Sequence, residues 1–239
     1  MKNLGFLSKV FFSGTLLSLF FSGSGSAATL YVHPEQGVYP QIQLAINAAI
    51  IGDEILVAPG VYQPVTFTKQ QIHVESEKGP EVTKIIGSGV GAAVYFSQLS
   101  TGSSISGFHI SGPDNGVKVD CSTPGNICRT LSIKNNIIEG AGLNGISLIA
   151  GSSKCGEGSE ISHVAIANNT IVGSVRSGIA FDLKGREEED QCEESSGKIQ
   201  FVKTENNIIV KNRKYGIHRM DRDESPFTDN TFFNNVFRN

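Results

Sequence analysis

The 239-residue sequence contains no tryptophan, two methionines and few leucines, but 27 glycines. That balance argues against a helical bundle, which needs long leucine-rich faces and tolerates glycine poorly. The apolar run from Val10 to Phe21 covers twelve residues, short of the ~20 that span a bilayer. Positive charge is not in excess: 20 Lys and Arg stand against 23 Asp and Glu, for a net charge of −3. A general nucleic-acid binder would be basic, so that class is excluded. Cys-x-x-Cys pairs, a phosphate-cradling glycine loop, a serine nucleophile elbow and Gly-Gly-x-Gly-x-Asp calcium rolls are all missing.

The N-terminus is organised differently from the rest. Lys2 and Lys9 precede the apolar run, and the small residues Ser22 to Ala28 follow it. A charged start, a short greasy middle and a small-residue end are the parts of an export signal. Residues 1–28 are therefore expected to be removed, by cleavage after Ala28 or Ala27. Residues 29–239 then form a single domain that is secreted or periplasmic, without a membrane span. Loss of the two lysines takes the formal charge to −5.

The mature part repeats. Asn135-Asn136-Ile137-Ile138, Asn168-Asn169-Thr170-Ile171 and Asn206-Asn207-Ile208-Ile209 share one pattern. Nine residues after the second Asn of each comes Gly-Ile, at Gly145-Ile146, Gly178-Ile179 and Gly216-Ile217. A looser copy runs from Ile105 to Ile110 with Gly116-Val117, and Asp229-Asn230-Thr231-Phe232 reads as a last half-copy. Short strands with tight corners, stacked coil on coil, explain this spacing, because no single coil buries its own apolar face. Alternation places Val117 and Val119, Ile146 and Leu148, and Ile179 and Phe181 inward. Asparagine suits a left-handed corner and can build an amide ladder between coils. From Gly-Ile to the next Asn pair the spacing grows from 20 to 24 to 29 residues, then falls to 14. Three successive coils thus carry insertions at one corner, which predicts a wall of loops along one edge.

The opening of the mature chain carries a resemblance. Thr29-Leu-Tyr-Val-His33, then Tyr39 to Ala49, then Gly52-Asp-Glu-Ile-Leu-Val-Ala-Pro-Gly-Val-Tyr62 resemble the start of pectate-lyase-like right-handed parallel β-helix proteins. The resemblance implies an all-β solenoid whose first coil is capped by a short helix. The helix is also legible by itself: Ile42, Ala45, Ile46, Ala49 and Ile50 recur at three-to-four spacing, and Gly52 supplies a stop. The scaffold hosts lyases, hydrolases, epimerases and non-enzymes, so it implies architecture rather than one activity. The aspartate and Arg-Ile-Lys segments of polygalacturonase-like hydrolases do not occur. Tyr215-Gly-Ile-His218 resembles the Tyr-Gly-x-Asp-Pro-His segment of alginate epimerases without its Asp-Pro step. Phe227, Phe232, Phe233 and Phe237 crowd the C-terminus, where an open last coil would invite pairing with a second copy.

All four cysteines lie in the insertions, which in an exported protein reads as disulfides. Of the three pairings, Cys121–Cys128 with Cys155–Cys192 closes one loop and ties two adjacent ones. On the Gly-Ile strands the outward columns read Lys118, Ser147, Ala180, His218 and Asp120, Ile149, Asp182, Met220. Lys118, Asp182 and His218 are the candidate catalytic groups for a lyase acting on a uronic-acid glycan. Such a reaction needs a base at C5 and a neutraliser for the neighbouring carboxylate. Asp120, Arg213, Tyr215 and Arg219 are candidate substrate contacts. Ca²⁺ between Asp120 and Asp182 is the one cofactor considered, but two coils separate them by roughly 10 Å, too far for one ion. Lys198 to Arg222 is rich in Lys and Arg, which reads either as a groove for an anionic glycan or as a solvated counterweight to the acidic run Glu187 to Glu194. The expected partner is a polysaccharide, bound or cleaved. The alternatives are a non-catalytic glycan-binding β-helix and a truncated relative of a longer enzyme.

Overall fold

The computed structural model describes residues 26–151, 158–183, 197–221 and 228–238. Its strands form four parallel sheets that wind into a right-handed β-helix. The first sheet stacks eight strands, from Thr29–Val32 at one end to Thr231–Phe233 at the other. The second stacks seven, from Gly60–Tyr62 to Val236–Arg238, and the third six, from Val65–Phe67 to Tyr215–Asp221. Parallel neighbours from successive coils are what a solenoid requires.

The repeat lands in register. Ile138 pairs with Ile171 and Ile171 with Ile209, so the aliphatic column is vertical. All three are buried, as are Val117, Val119, Ile146, Leu148, Ile179 and Phe181, the positions expected to point inward. Phe67 and Phe96 are register partners in the same column as Val119, and their rings stack at 4.3 Å.

The two asparagines of each pair divide the work. Asn135, Asn168 and Asn206 take the left-handed turn, with φ of 57, 56 and 54°. Their neighbours build the ladder: Asn136 Nδ2 donates to Asn169 Oδ1 at 3.2 Å, and Asn169 Nδ2 to Asn207 Oδ1 at 3.0 Å. Each ladder amide also closes a backbone group, as Asn169 Nδ2 does on the Ile133 carbonyl at 2.9 Å. Asn207 Nδ2 then donates to Asn235 at 2.9 Å, and Asn234 has φ 50°. The last copy is therefore Asn234-Asn235-Val236-Phe237, and the half-copy expected at Asp229-Asn230 belongs to the preceding corner. Asp-Asn-Thr-Phe and Asn-Asn-Val-Phe are near-synonymous as text, and only hydrogen bonding separates them.

Glycine before the inward Ile has a steric cause. A Cβ on Gly145 would collide with the Ile171 side chain and come within 2.7 Å of the Gly178 carbonyl in the next coil. Backbone there cannot retreat without breaking the stack.

The N-terminal end is closed by the helix Ile42–Ala48, which buries Ile42, Ala45 and Ile46. Ala49 is buried just beyond it, but Ile50 is half-exposed because the chain has already left the helix. Lys69 Nζ closes the helix end by donating to the Asn47 and Ala49 carbonyls at 2.5 and 2.7 Å. At the opposite end Phe232, Phe233, Val236 and Phe237 are exposed on the last coil.

The insertions are not bare loops. Each contributes a strand, Ile127–Arg129, Glu160–Ser162 and Lys198–Gln200, to a fourth, three-stranded parallel sheet. Cys128, Ile161 and Ile199 are register partners there and are all buried, so the core continues under the wall. Cys121 and Cys128 are bonded with Cα atoms 6.0 Å apart, joining the third sheet to the fourth. Cys155 and Cys192, and with them the second proposed bridge, lie outside the described residues, as do residues 1–25.

Asn169→Ala removes a buried amide with partners above and below, and strips the Asn136 backbone and side-chain amides of their shared Asn169 Oδ1 acceptor and the Ile133 carbonyl of a donor. At ~1–3 kcal/mol per stranded group, the expected loss is about 3 kcal/mol, read from the midpoint of urea unfolding. Asn168→Gly, at the exposed turn, should cost well under half of that.

Candidate functional site

The outer face of the third sheet carries the two columns expected of it. Lys118, Ser147, Ala180 and His218 are successive register partners, as are Asp120, Ile149, Asp182 and Met220. The candidates do not gather at one point. Lys118 and His218 are three strands apart, roughly 14 Å at the usual spacing. Between them the small side chains of Ser147 and Ala180 are buried, while Ile149 and Asp182 beside them on the same strands are partly exposed, so it is distance that separates the two ends.

The end nearer the N-terminus holds a compact polar cluster. Lys118 Nζ lies 2.8 Å from Asp120 Oδ2, with side chains only 26 and 16% exposed. Ser122 donates its hydroxyl to Asp120 Oδ1 at 2.6 Å and its backbone amide to the same oxygen at 3.1 Å. Tyr95, the register partner of Lys118 on the preceding coil, sets its ring 5.7 Å from the ammonium. Burial works to raise the Asp120 carboxyl, but the Lys118 and Ser122 hydrogen bonds and the Lys118 charge outweigh it. The carboxyl is held below its ordinary value. The Tyr95 phenol is pushed up by burial first, then by the charge and hydrogen bond of Asp120. Strand alternation explains why Lys118 and Asp120 meet: both leave the same face of Asn115–Cys121. The disulfide at Cys121 anchors the corner that carries Ser122.

At the other end, Asp182 neighbours Met220 in register and is diagonal to His218. Tyr215 stacks on the His218 ring at 4.2 Å. Arg219 pairs with the inward Phe181, so it belongs to the core column of the exposed last coil and not to the outer face. Arg213 precedes the strand at an exposed corner, its amide bonded to the Ser174 carbonyl at 2.9 Å. The basic stretch is spread around the perimeter. Lys198 faces Glu160 on the fourth sheet, and Lys203 pairs with Glu205 at 2.8 Å on the first. Of the proposed residues, Lys118 and Asp120 are brought together, Asp182, Tyr215 and His218 sit near one another, and Arg213 and Arg219 lie elsewhere. Tyr95 and Ser122 were missed. Tyr95 precedes the legible repeat, so no motif placed it one coil below Lys118.

The periplasmic copper-binding protein (NosD) family matches residues 46–239. The chain belongs to this family. NosD proteins are periplasmic by that description, in line with the export expected from the leader. No curated protein matches the chain. Among solved structures, the catalytic domain of a GH87 α-1,3-glucanase in complex with tetrasaccharides is 12% identical with a TM-score of 0.51, over 78% of this chain and 34% of that one. A pectate lyase is 14% identical (TM-score 0.45; 87 and 58% covered), and an alginate lyase from Paenibacillus sp. str. FPU-7 is 15% identical (TM-score 0.36; 89 and 98% covered). This NosD-family chain spans about a third of the glucanase, and at such identity the likeness is one of fold.

A copper site needs several His, Cys or carboxylate side chains converging on one point. No three of His, Cys, Asp and Glu come together among the described residues. The five histidines are dispersed and engaged: His33 accepts two backbone amides, His73 meets Ser104, His109 pairs with Glu139, and His163 and His218 stack on Phe201 and Tyr215. Cys121 and Cys128 are spent in a disulfide. The described residues therefore do not fit a copper centre. The Ca²⁺ alternative fares no better geometrically, since Asp120 and Asp182 are two strands apart and Asp120 is already bound to Lys118.

A carboxyl held low in the folded state stabilises the fold above its unfolded pKa of ~4, and that contribution disappears as pH falls through the depressed folded value. Asp120→Asn should flatten this part of the acid dependence, measured as unfolding midpoints between pH 6 and pH 2. The same change should move Tyr95 titration down toward its ordinary ~10, followed by tyrosinate absorbance.

Proposed function

We propose that this NosD-family protein is exported, loses its leader and binds a polysaccharide across the Tyr95–Lys118–Asp120 end of the third sheet. The observation that carries this reading is the cluster itself. A partly exposed aromatic ring lies beside a carboxylate and an ammonium that are already held in place. Sugars present an apolar ring face and adjacent hydroxyls, which such a cluster matches with stacking and paired hydrogen bonds. Pre-organisation by Ser122 and the neighbouring disulfide lowers the ordering cost of binding.

Binding is favoured over cleavage by the same geometry. Lys118 donates to Asp120, so neither group is free to take a proton from a substrate carbon. A lyase would have to use Asp182 and His218 at the far end. That end stands roughly 14 Å from Lys118 at the usual strand spacing. The small, buried Ser147 and Ala180 lie between and offer no further charge. An anionic glycan is still accommodated, its carboxylate meeting Lys118.

Binding to a panel of neutral and uronic-acid polysaccharides tests this. Tyr95→Ala should weaken the best ligand at least ~10-fold, the equivalent of one lost stacking contact at about 1.4 kcal/mol. His218→Ala should leave binding unchanged. Release of unsaturated sugar, seen by ultraviolet absorbance and abolished in His218→Ala, would overturn the binding reading in favour of a lyase.

A further inference from the structure

Asp53 is a buried carboxylate, 4% exposed, just after the capping helix. Its Oδ1 accepts the Ala28 backbone amide at 2.8 Å and its Oδ2 accepts the Ile50 amide at 2.9 Å. Among the described residues no Lys, Arg or His forms an ion pair with it. Buried carboxylates are ordinarily matched by a positive charge as well as by hydrogen bonds, and here the countercharge is absent from the side chains.

The group that Asp53 holds lies at a boundary in the chain. From Ala28 onward the backbone is fastened: the Ala28 carbonyl accepts the Glu54 amide at 2.9 Å, and Thr29–Val32 pairs residue by residue with Glu54–Val57. Asp53 is equally fixed, its own amide donating to Ile50 and its carbonyl accepting from His73, both at 3.1 Å. Ser26 and Ala27, immediately before Ala28, are exposed and outside the ladder. They end the small-residue stretch that closes the export signal, where a leader peptidase needs an extended, accessible bond.

We propose that the leader is cleaved between Ala27 and Ala28, and that Asp53 is the built receptor for the new N-terminus. Hydrolysis consumes one water: the Ala27–Ala28 amide bond breaks, the water oxygen leaves with the leader as the Ala27 carboxylate, and both water protons end on the Ala28 nitrogen. A single N–H donor thereby becomes an ammonium group with three donors and a full charge, in a place already 2.8 Å from Asp53 Oδ1. Processing supplies the missing countercharge and locks the first strand onto the capped end. Cleavage after Ala28 instead would discard both Ala28 hydrogen bonds, so the structure selects one of the two expected bonds.

This inference rests on the export reading, and the two fail differently. The full chain is exported and the intact mass of the product is measured. A mass beginning at Ala28 is expected. A chain retaining residues 1–27 would overturn the export reading together with the site, whereas a product beginning at Thr29 or elsewhere would overturn the site alone. Melting temperature then tests the ion pair. Protein beginning at Ala28 should melt several degrees above protein beginning at Ala27 and above the same protein acetylated at Ala28, at neutral pH. Equal melting of all three overturns the proposal without any side-chain variant. Asp53→Asn should abolish the differences; their persistence in that variant would also overturn it.

Discussion

Vertical register is the constraint from which the rest of this molecule follows. Each coil presents one inward aliphatic residue per strand position, and that residue is buried only because its counterpart sits one strand spacing above or below. The asparagine ladder keeps the counterparts aligned. Asn136, Asn169, Asn207 and Asn235 satisfy one another and also the carbonyls of neighbouring strands, so a slip by one residue would strand several buried groups at once. Glycine at 145 and 178 is the steric expression of the same demand, since the coil above passes too close for a side chain. Sheet, corner and glycine are therefore not separate stabilising features but one condition met repeatedly.

The same register makes the outer face a set of local sites. Residues on one strand, such as Lys118 and Asp120, or on adjacent strands, such as Tyr95 and Lys118, can meet. Residues three strands apart cannot, however well their chemistry would combine. The polar cluster of Tyr95, Lys118, Asp120 and Ser122 is satisfied within itself, which suits holding a ligand better than transferring a proton. Membership of the NosD family places the chain in the periplasm without bringing copper ligands together among the described residues. The likeness to the glucanase catalytic domain is one of fold.

The two ends of the solenoid are treated differently. A short helix and the Lys69 ammonium close the N-terminal end, and Asp53 ties the first strand beneath them. On the last described coil Phe232 and Phe237 take inward positions and are exposed, and Arg219 takes the register position that Phe96, Val119, Leu148 and Phe181 hold in earlier coils.

Much of this could be read from residues alone, and the division has a physical basis. Periodicity is a property of the chain: Asn-Asn followed nine residues later by Gly-Ile determined the solenoid, the inward set and both outward columns, because stacking like on like writes itself into sequence. The capping helix and the Cys121–Cys128 bridge were legible for similar reasons, local spacing and small loop size. Contacts across coils without a repeated motif were not. Tyr95 beside Lys118, the fourth sheet under the insertions, and the true last copy at Asn234-Asn235 depend on which strand pairs with which. So does the placing of Arg219 in the core column. Only the closed tertiary stack decides those, because the distance between two side chains on a solenoid is set by the number of coils between them and not by the chemistry they share.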